Sequence, residues 1–187
     1  MSERKKTATD AEKAARSADR KSNFGSTPDP WEACTRLDYG GDRSFAWSVR
    51  EQVLDALPAD RERIEGRLLE ALRREGITAA GRAFVCQMLA LVAGPRSVPA
   101  LAALLKDPKS AEEARYALQP IAGPEADAAL RDALGSLSGP AKAGLIGTIA
   151  FRGDTTARAV LAGIRANPSE APVVRDAAAR ALDHLKA

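Results

Sequence analysis

One histidine, two cysteines and eight aromatic side chains among 187 residues leave little material for metal or covalent chemistry. His184 has no second imidazole with which to share a metal ion. Cys34 and Cys86 are too few and too widely spaced for a disulfide framework or a paired metal site. Neither thiol has a histidine nearby in sequence to act as its base, so Cys–His catalysis lacks a component. Aromatics are only 4% of the chain, no segment alternates convincingly with period two, and β-branched runs are few, which argues against a sheet. No apolar stretch reaches the roughly 18–20 residues of a membrane-spanning helix. Met1-Ser-Glu-Arg-Lys-Lys6 is followed by no apolar run, so no signal peptide is expected and a cytoplasmic location with reduced thiols is. Glycine motifs also fail on inspection. Gly135-Ser-Leu-Ser-Gly139 centres on Leu137 rather than on a nucleophilic serine, and Gly139-Pro-Ala-Lys-Ala-Gly144 lacks the ending of a phosphate-binding loop.

What is abundant is alanine, at 39 residues, the strongest helix former. Charge is nearly balanced. Of 28 basic and 25 acidic residues, seven and four lie in positions 1–27, leaving 21 of each in the remainder. The net charge of +3 therefore resides in the N-terminal segment, and the body lacks the basic excess that phosphate-backbone binding calls for. Residues 1–30, rich in Ser, Lys, Asp and Ala, read as a disordered and mildly basic tail, with a transient helix over 10–21. Residues 31–43 read as an aromatic N-terminal cap. Five of the eight aromatics (Phe24, Trp31, Tyr39, Phe45 and Trp47) fall between positions 24 and 47, as expected for covering the open end of a repeat array.

From residue 44 onward the apolar spacing is helical. Ile64, Leu68 and Leu72 recur every four residues; Val85, Met88, Leu89 and Val92 mark the next face; comparable stripes continue to Leu185. Gly94-Pro95, Gly123-Pro124 and Gly139-Pro140 each place a breaker before a new helix, with proline suited to its first turn. Ser110 and Glu113 have capping-box spacing, and Asp154 sits as an N-cap. Nine helices are predicted: 44–57, 60–75, 79–93, 95–106, 110–121, 124–136, 139–151, 154–166 and 171–186. Three of them follow Gly94, Gly123 and Gly153, spaced 29 and 30 residues apart; Leu101 and Leu130 stand seven positions after their glycines, and the third copy is displaced by one, to Leu161. A period near 30 made of two short helices marks an α-solenoid.

Ser97-VPALAALLKDP-Lys109 and Val174-Arg-Asp-Ala-Ala-Ala-Arg-Ala-Leu182 resemble the second and first helices of HEAT repeats. The block from Phe84-Val85-Cys86-Gln87 through Ala114-Arg115-Tyr116-Ala117-Leu118 to Gly153-Asp154 carries the likeness further, toward the bacterial short-repeat, phycobilisome-lyase-like subgroup. Over residues 44–187 the resemblance implies an all-α, right-handed α-solenoid of about four HEAT-like hairpins plus a terminal helix. It implies a non-catalytic scaffold binding a protein partner, without cofactor or metal. The subgroup label adds a tetrapyrrole (bilin) lyase or chaperone as an alternative, and HEAT-type DNA-repair glycosylases a further one that the neutral body disfavours.

HEAT arrays line their concave side with the second helices, which by resemblance are 95–106, 124–136 and 154–166. Helical spacing leaves Arg96, Asp127, Arg131, Arg158 and Arg165 on the stripe opposite the apolar one. Asp127 and Arg131 are spaced as an i,i+4 pair, and Arg131, Arg158 and Arg165 suit carboxylates through bidentate contacts. Trp31 and Trp47 are the second candidate surface. The remaining polar residues read as structural: His184 in a helix C-terminal turn, Cys86 as a buried small hydrophobe, Gly144 and Gly147 as sites of close helix packing. Removing residues 1–27, which lack apolar periodicity, should leave the melting temperature and helical far-UV spectrum nearly unchanged; a fall of many degrees would make the tail a structural element.

Overall fold

The computed structural model describes residues 28–186, over which the regular structure is helical and no strand occurs. The disordered-tail and transient-helix expectations for residues 1–27 lie outside the described residues. Ten α-helices follow one another: α1 (Pro30–Ala33), α2 (Ser44–Leu54), α3 (Arg61–Leu72), α4 (Ala79–Val92), α5 (Val98–Leu105), α6 (Ala111–Leu118), α7 (Pro124–Asp132), α8 (Gly139–Phe151), α9 (Arg158–Ala166) and α10 (Pro172–His184). The nine helices predicted from periodicity correspond to α2–α10. Three of them enter through a 3₁₀ turn, at Pro58–Asp60, Pro95–Ser97 and Thr155–Ala157. The additional helix, α1, starts on Asp29, whose carboxylate accepts from the Trp31 amide, with Pro30 in the first turn.

Even-numbered helices stack in sequence, α2 on α4, α4 on α6, α6 on α8 and α8 on α10, and each odd-numbered helix packs on the even one that follows it. The structure thus holds five consecutive pairs among the described residues, where the sequence pointed to four hairpins and a lone last helix. The frame is displaced by one helix for a local reason. Ala93 and Gly94 are extended and carry the chain out of α4, so that α5 packs mainly on α6 and α7. Asp107-Pro108 and Asn167-Pro168, sixty residues apart, instead fold the chain back on itself. In each the side-chain oxygen accepts from the amide two residues on, at 3.0 Å, closing α5 onto α6 and α9 onto α10.

The core runs between the two rows and contains Leu68, Leu89, Leu101, Leu118, Leu130, Ile149 and Leu161, all essentially inaccessible. Ser110 does not form the expected capping box. Its hydroxyl donates backward to the Leu104 carbonyl at 2.9 Å, which ties the α5–α6 turn instead. Helix α8 ends in a Schellman arrangement at Gly153 (φ +72°), where the Asp154 amide reaches the Ile149 carbonyl and the Gly153 amide reaches that of Ala150.

The N-terminal segment is fixed by one close approach. Thr78 donates from its amide to the Thr35 carbonyl (3.0 Å) and from its hydroxyl to that of Leu37 (2.6 Å), pressing residues 34–37 onto the first turn of α4. A Cβ at Gly81 would lie 2.3 Å from the Thr35 carbonyl oxygen, so only glycine fits. Gly81→Ala is expected to destabilise the protein by about 1–3 kcal/mol in urea unfolding, because backbone rather than a flexible side chain must move. A change under about 0.5 kcal/mol would show that residues 30–37 dock loosely.

Candidate functional site

Most charged side chains near the helix junctions are already engaged. Arg152, at the end of α8, donates to the carbonyls of Leu118 (3.2 Å), Gln119 (2.8 Å), Ile121 (2.6 Å) and Gly123 (3.2 Å), and to the Asp127 carboxylate (2.6 Å). Two residues on, Asp154 caps the turn into α9 through Thr156 and receives Arg131 from α7. Asp127 and Arg131 therefore pair with Arg152 and Asp154 rather than with each other, which corrects the i,i+4 pairing read from the sequence. Local spacing permitted that pair, but burial and a fixed backbone turn favour the longer-range partners. Lys142 on α8 is buried against Glu170 in the α9–α10 turn. Arg115 on α6 is held by Glu112 and donates to the Thr148 hydroxyl on α8 (2.6 Å). Glu65, also buried, accepts from the Gly94 amide (2.9 Å) and the Ser97 hydroxyl (2.5 Å).

The thiols are unsuited to nucleophilic attack. Burial, reinforced by Asp29, pushes Cys34 up to about 11, and burial with Glu113 pushes Cys86 up to about 12. Both side chains are protonated at neutral pH, and Cys86 is the buried small hydrophobe its apolar helix suggested. No cluster of three or more metal-ligating residues occurs among the described residues.

The sequence-derived binding stripe is divided by these contacts. Arg131 is taken by Asp154, and Arg96 makes an open pair with Glu62 at 3.4 Å. Arg158 and Arg165 remain exposed on α9. Trp31 and Trp47 separate as well. Trp31 is buried, its indole donating to Gln52 (3.2 Å) and its ring covered by the Arg67 guanidinium 4.4 Å away, whereas Trp47 is 66% exposed on α2. Gly144 and Gly147 do not mark tight helix packing. A Cβ at Gly144 would meet Arg115 at an ordinary 3.5 Å, and one at Gly147 would meet nothing within 4 Å.

The exposed apolar side chains form a different pattern. Of nine large hydrophobic residues exposed among the described residues, six lie on even-numbered helices: Trp47, Leu54, Leu91, Tyr116, Phe151 and Val173. Two grooves open between those helices. The α4/α6 groove, about 340 Å³, is walled by Tyr116 and bears Glu112 and Glu113. The α8/α10 groove, about 390 Å³, has a floor of alanines and Gly147, with Phe151, Arg180 and His184 around it. Both are lined only by even-numbered helices, so they open on one face of the even row. The sequence reading passed over this face, although a signal was present. Tyr116 and Phe151 each stand outside the apolar stripe of their helix, in a chain with only eight aromatics.

Comparison with protein-family models, curated proteins and solved structures finds no match to this chain.

The Asp154 carboxyl titrates below its ordinary value of 3.8: burial opposes this, and hydrogen bonds from Thr156 and Arg131 outweigh burial. A folded-state value below the unfolded one contributes stability above pH 3.8, which is lost as pH falls through the folded value. Urea midpoints should therefore drop as the pH is taken below 4. In Asp154→Asn the midpoint at neutral pH should be lower and the acid-limb slope shallower. An unaltered acid limb would show that the Arg131–Asp154 contact does not contribute.

Proposed function

We propose that the chain is a HEAT-like α-solenoid acting as a non-catalytic protein-interaction module, and that it binds through the outer face of its even-numbered helices. The supporting observation is the placement of exposed apolar side chains. Tyr116 and Phe151 are 53% and 71% exposed, each beside a groove large enough to receive a side chain. Aromatic side chains beside receptive grooves are the usual anchors of protein interfaces. The junction charges support the same reading from the opposite direction. Arg152, Asp127, Arg131, Asp154, Lys142 and Glu170 are consumed in holding helices together, so the surface chemistry is left to the faces of the helices. Repeat architectures present extended faces of this kind, because each unit contacts mainly its neighbours.

This reading moves the partner site from the odd-numbered helices, where the resemblance placed it, to the even row. Arg158 and Arg165 on α9 then serve as solvated charges. Site-specific photo-crosslinkers in the full chain inside living cells discriminate the two faces. Positions 116 and 151 should form protein adducts, and positions 158 and 165 should not. Adducts confined to 158 and 165 would return the site to the odd row, and none at any of the four would remove the interaction reading.

A further inference from the structure

We infer that the even-row face is an interface between two copies of this chain, related by a two-fold axis that lays each copy's α4/α6 groove on the other's α8/α10 groove. The inference rests on the interaction reading above and assigns its partner.

Charge carries the argument. The acidic or basic side chains lining the α4/α6 groove are Glu112 and Glu113, both acidic. Those lining the α8/α10 groove are Arg180 and His184. Glu112 is engaged by Arg115, whereas Glu113 and Arg180 make no ion pair among the described residues. One face thus bears an acidic and a basic groove, separated by the α6–α8 junction. A two-fold operator brings residue i of one copy to residue j of the other, and residue j to residue i. Opposite patches on one face are therefore self-complementary, and the Glu113–Arg180 contact is made twice. A face of uniform sign would repel its own copy.

Shape agrees with charge. Tyr116 projects at the acidic groove, and the basic groove is floored by alanines and by Gly147, above which there is open space. Placing Tyr116 over Gly147 of the second copy covers an exposed ring with an unoccupied floor. Phe151 stands at the rim of the same contact and is covered with it. An axis lying in the interface and crossing it between α6 and α8 satisfies both groove pairings at once.

Sedimentation velocity of the full chain tests this. The expected species has twice the 19.7 kDa chain mass at concentrations up to about 0.1 mM. Gly147→Trp fills the floor from a position whose Cβ would meet nothing within 4 Å, and should weaken dimerisation at least about tenfold with the circular dichroism unchanged. Glu113→Arg and Arg180→Glu should each do the same, while the two changes combined in one chain restore the pair with reversed sign and recover the dimer. Four results would overturn the proposal: a monomer throughout that concentration range, a dimer indifferent to Gly147→Trp, a dimer indifferent to both single reversals, or a failure of the combined variant to recover. A monomer whose positions 116 and 151 still crosslink to a different protein would sink this inference and leave the interaction reading intact.

Discussion

The stack turns on a single guanidinium. Helix α6 is eight residues long and is followed by its cap Gln119 and then by Pro120, so its last carbonyls have no helical donors beyond them. Arg152 supplies those donors from the end of the next even-numbered helix, reaching four carbonyls between Leu118 and Gly123 while its Nε holds Asp127 on α7. One side chain therefore fixes α6, the turn after it, α7 and α8 relative to one another. Glu65 answers the converse need at the preceding junction. It accepts from the Gly94 amide and the Ser97 hydroxyl where the chain enters α5. The signs follow from helix termini: a cation where carbonyls are left over, an anion where amides are. Each of these groups is nearly withdrawn from water, so removing one would leave uncompensated polar atoms rather than merely one bond fewer.

Alanine makes this arrangement possible. Ala111, Ala114, Ala117, Ala126, Ala177 and Ala178 are all buried where helices meet, and such small side chains let short helices lie close enough for a junction arginine to span two of them. The short helices in turn need those tertiary contacts, since an isolated helix of eight or nine residues is marginal in water. Stability is thus distributed over junctions that repeat along the chain, and not concentrated in a few large aromatic contacts.

This division explains what was legible in the sequence. Periodicity and Gly-Pro punctuation located α2–α10 because both are local signals. The pairing frame was not legible, since it depends on whether Gly94-Pro95 or Asp107-Pro108 turns the chain back, which local composition does not decide. The Asp127–Arg131 pairing failed for a related reason. Spacing within a helix cannot weigh a partner 23 or 25 residues away that offers a buried, pre-positioned group. Gly81 could not be singled out either, because the atom that forbids a side chain there is the Thr35 carbonyl, brought in by a segment 46 residues earlier. For the candidate surface, composition was misleading. Trp31 and Trp47 stand in one aromatic cluster of the sequence, yet one completes the core and the other faces solvent.

Gly147 and Phe151 are the residues on which the proposed even-row interface rests most directly. A glycine inside an exposed helix costs about 1 kcal/mol relative to alanine, and such positions are usually explained by a close neighbour or an unusual backbone. Gly147 has neither: no atom lies within 4 Å of where its Cβ would stand, and its backbone is ordinary α-helix. One helical turn later Phe151 stays 71% exposed, forgoing much of the roughly 1.5–3 kcal/mol that burying such a ring contributes. Gly163 on α9 is similarly open, but no exposed aromatic lies beside it. At 147 and 151 an unfilled hollow and an uncovered ring occupy the same face one turn apart, and neither is offset by anything the monomer gains. An alanine-rich chain that packs its junctions tightly has simple alternatives at both positions. The proposed even-row interface accounts for that combination, since it completes the burial of both positions from outside the monomer.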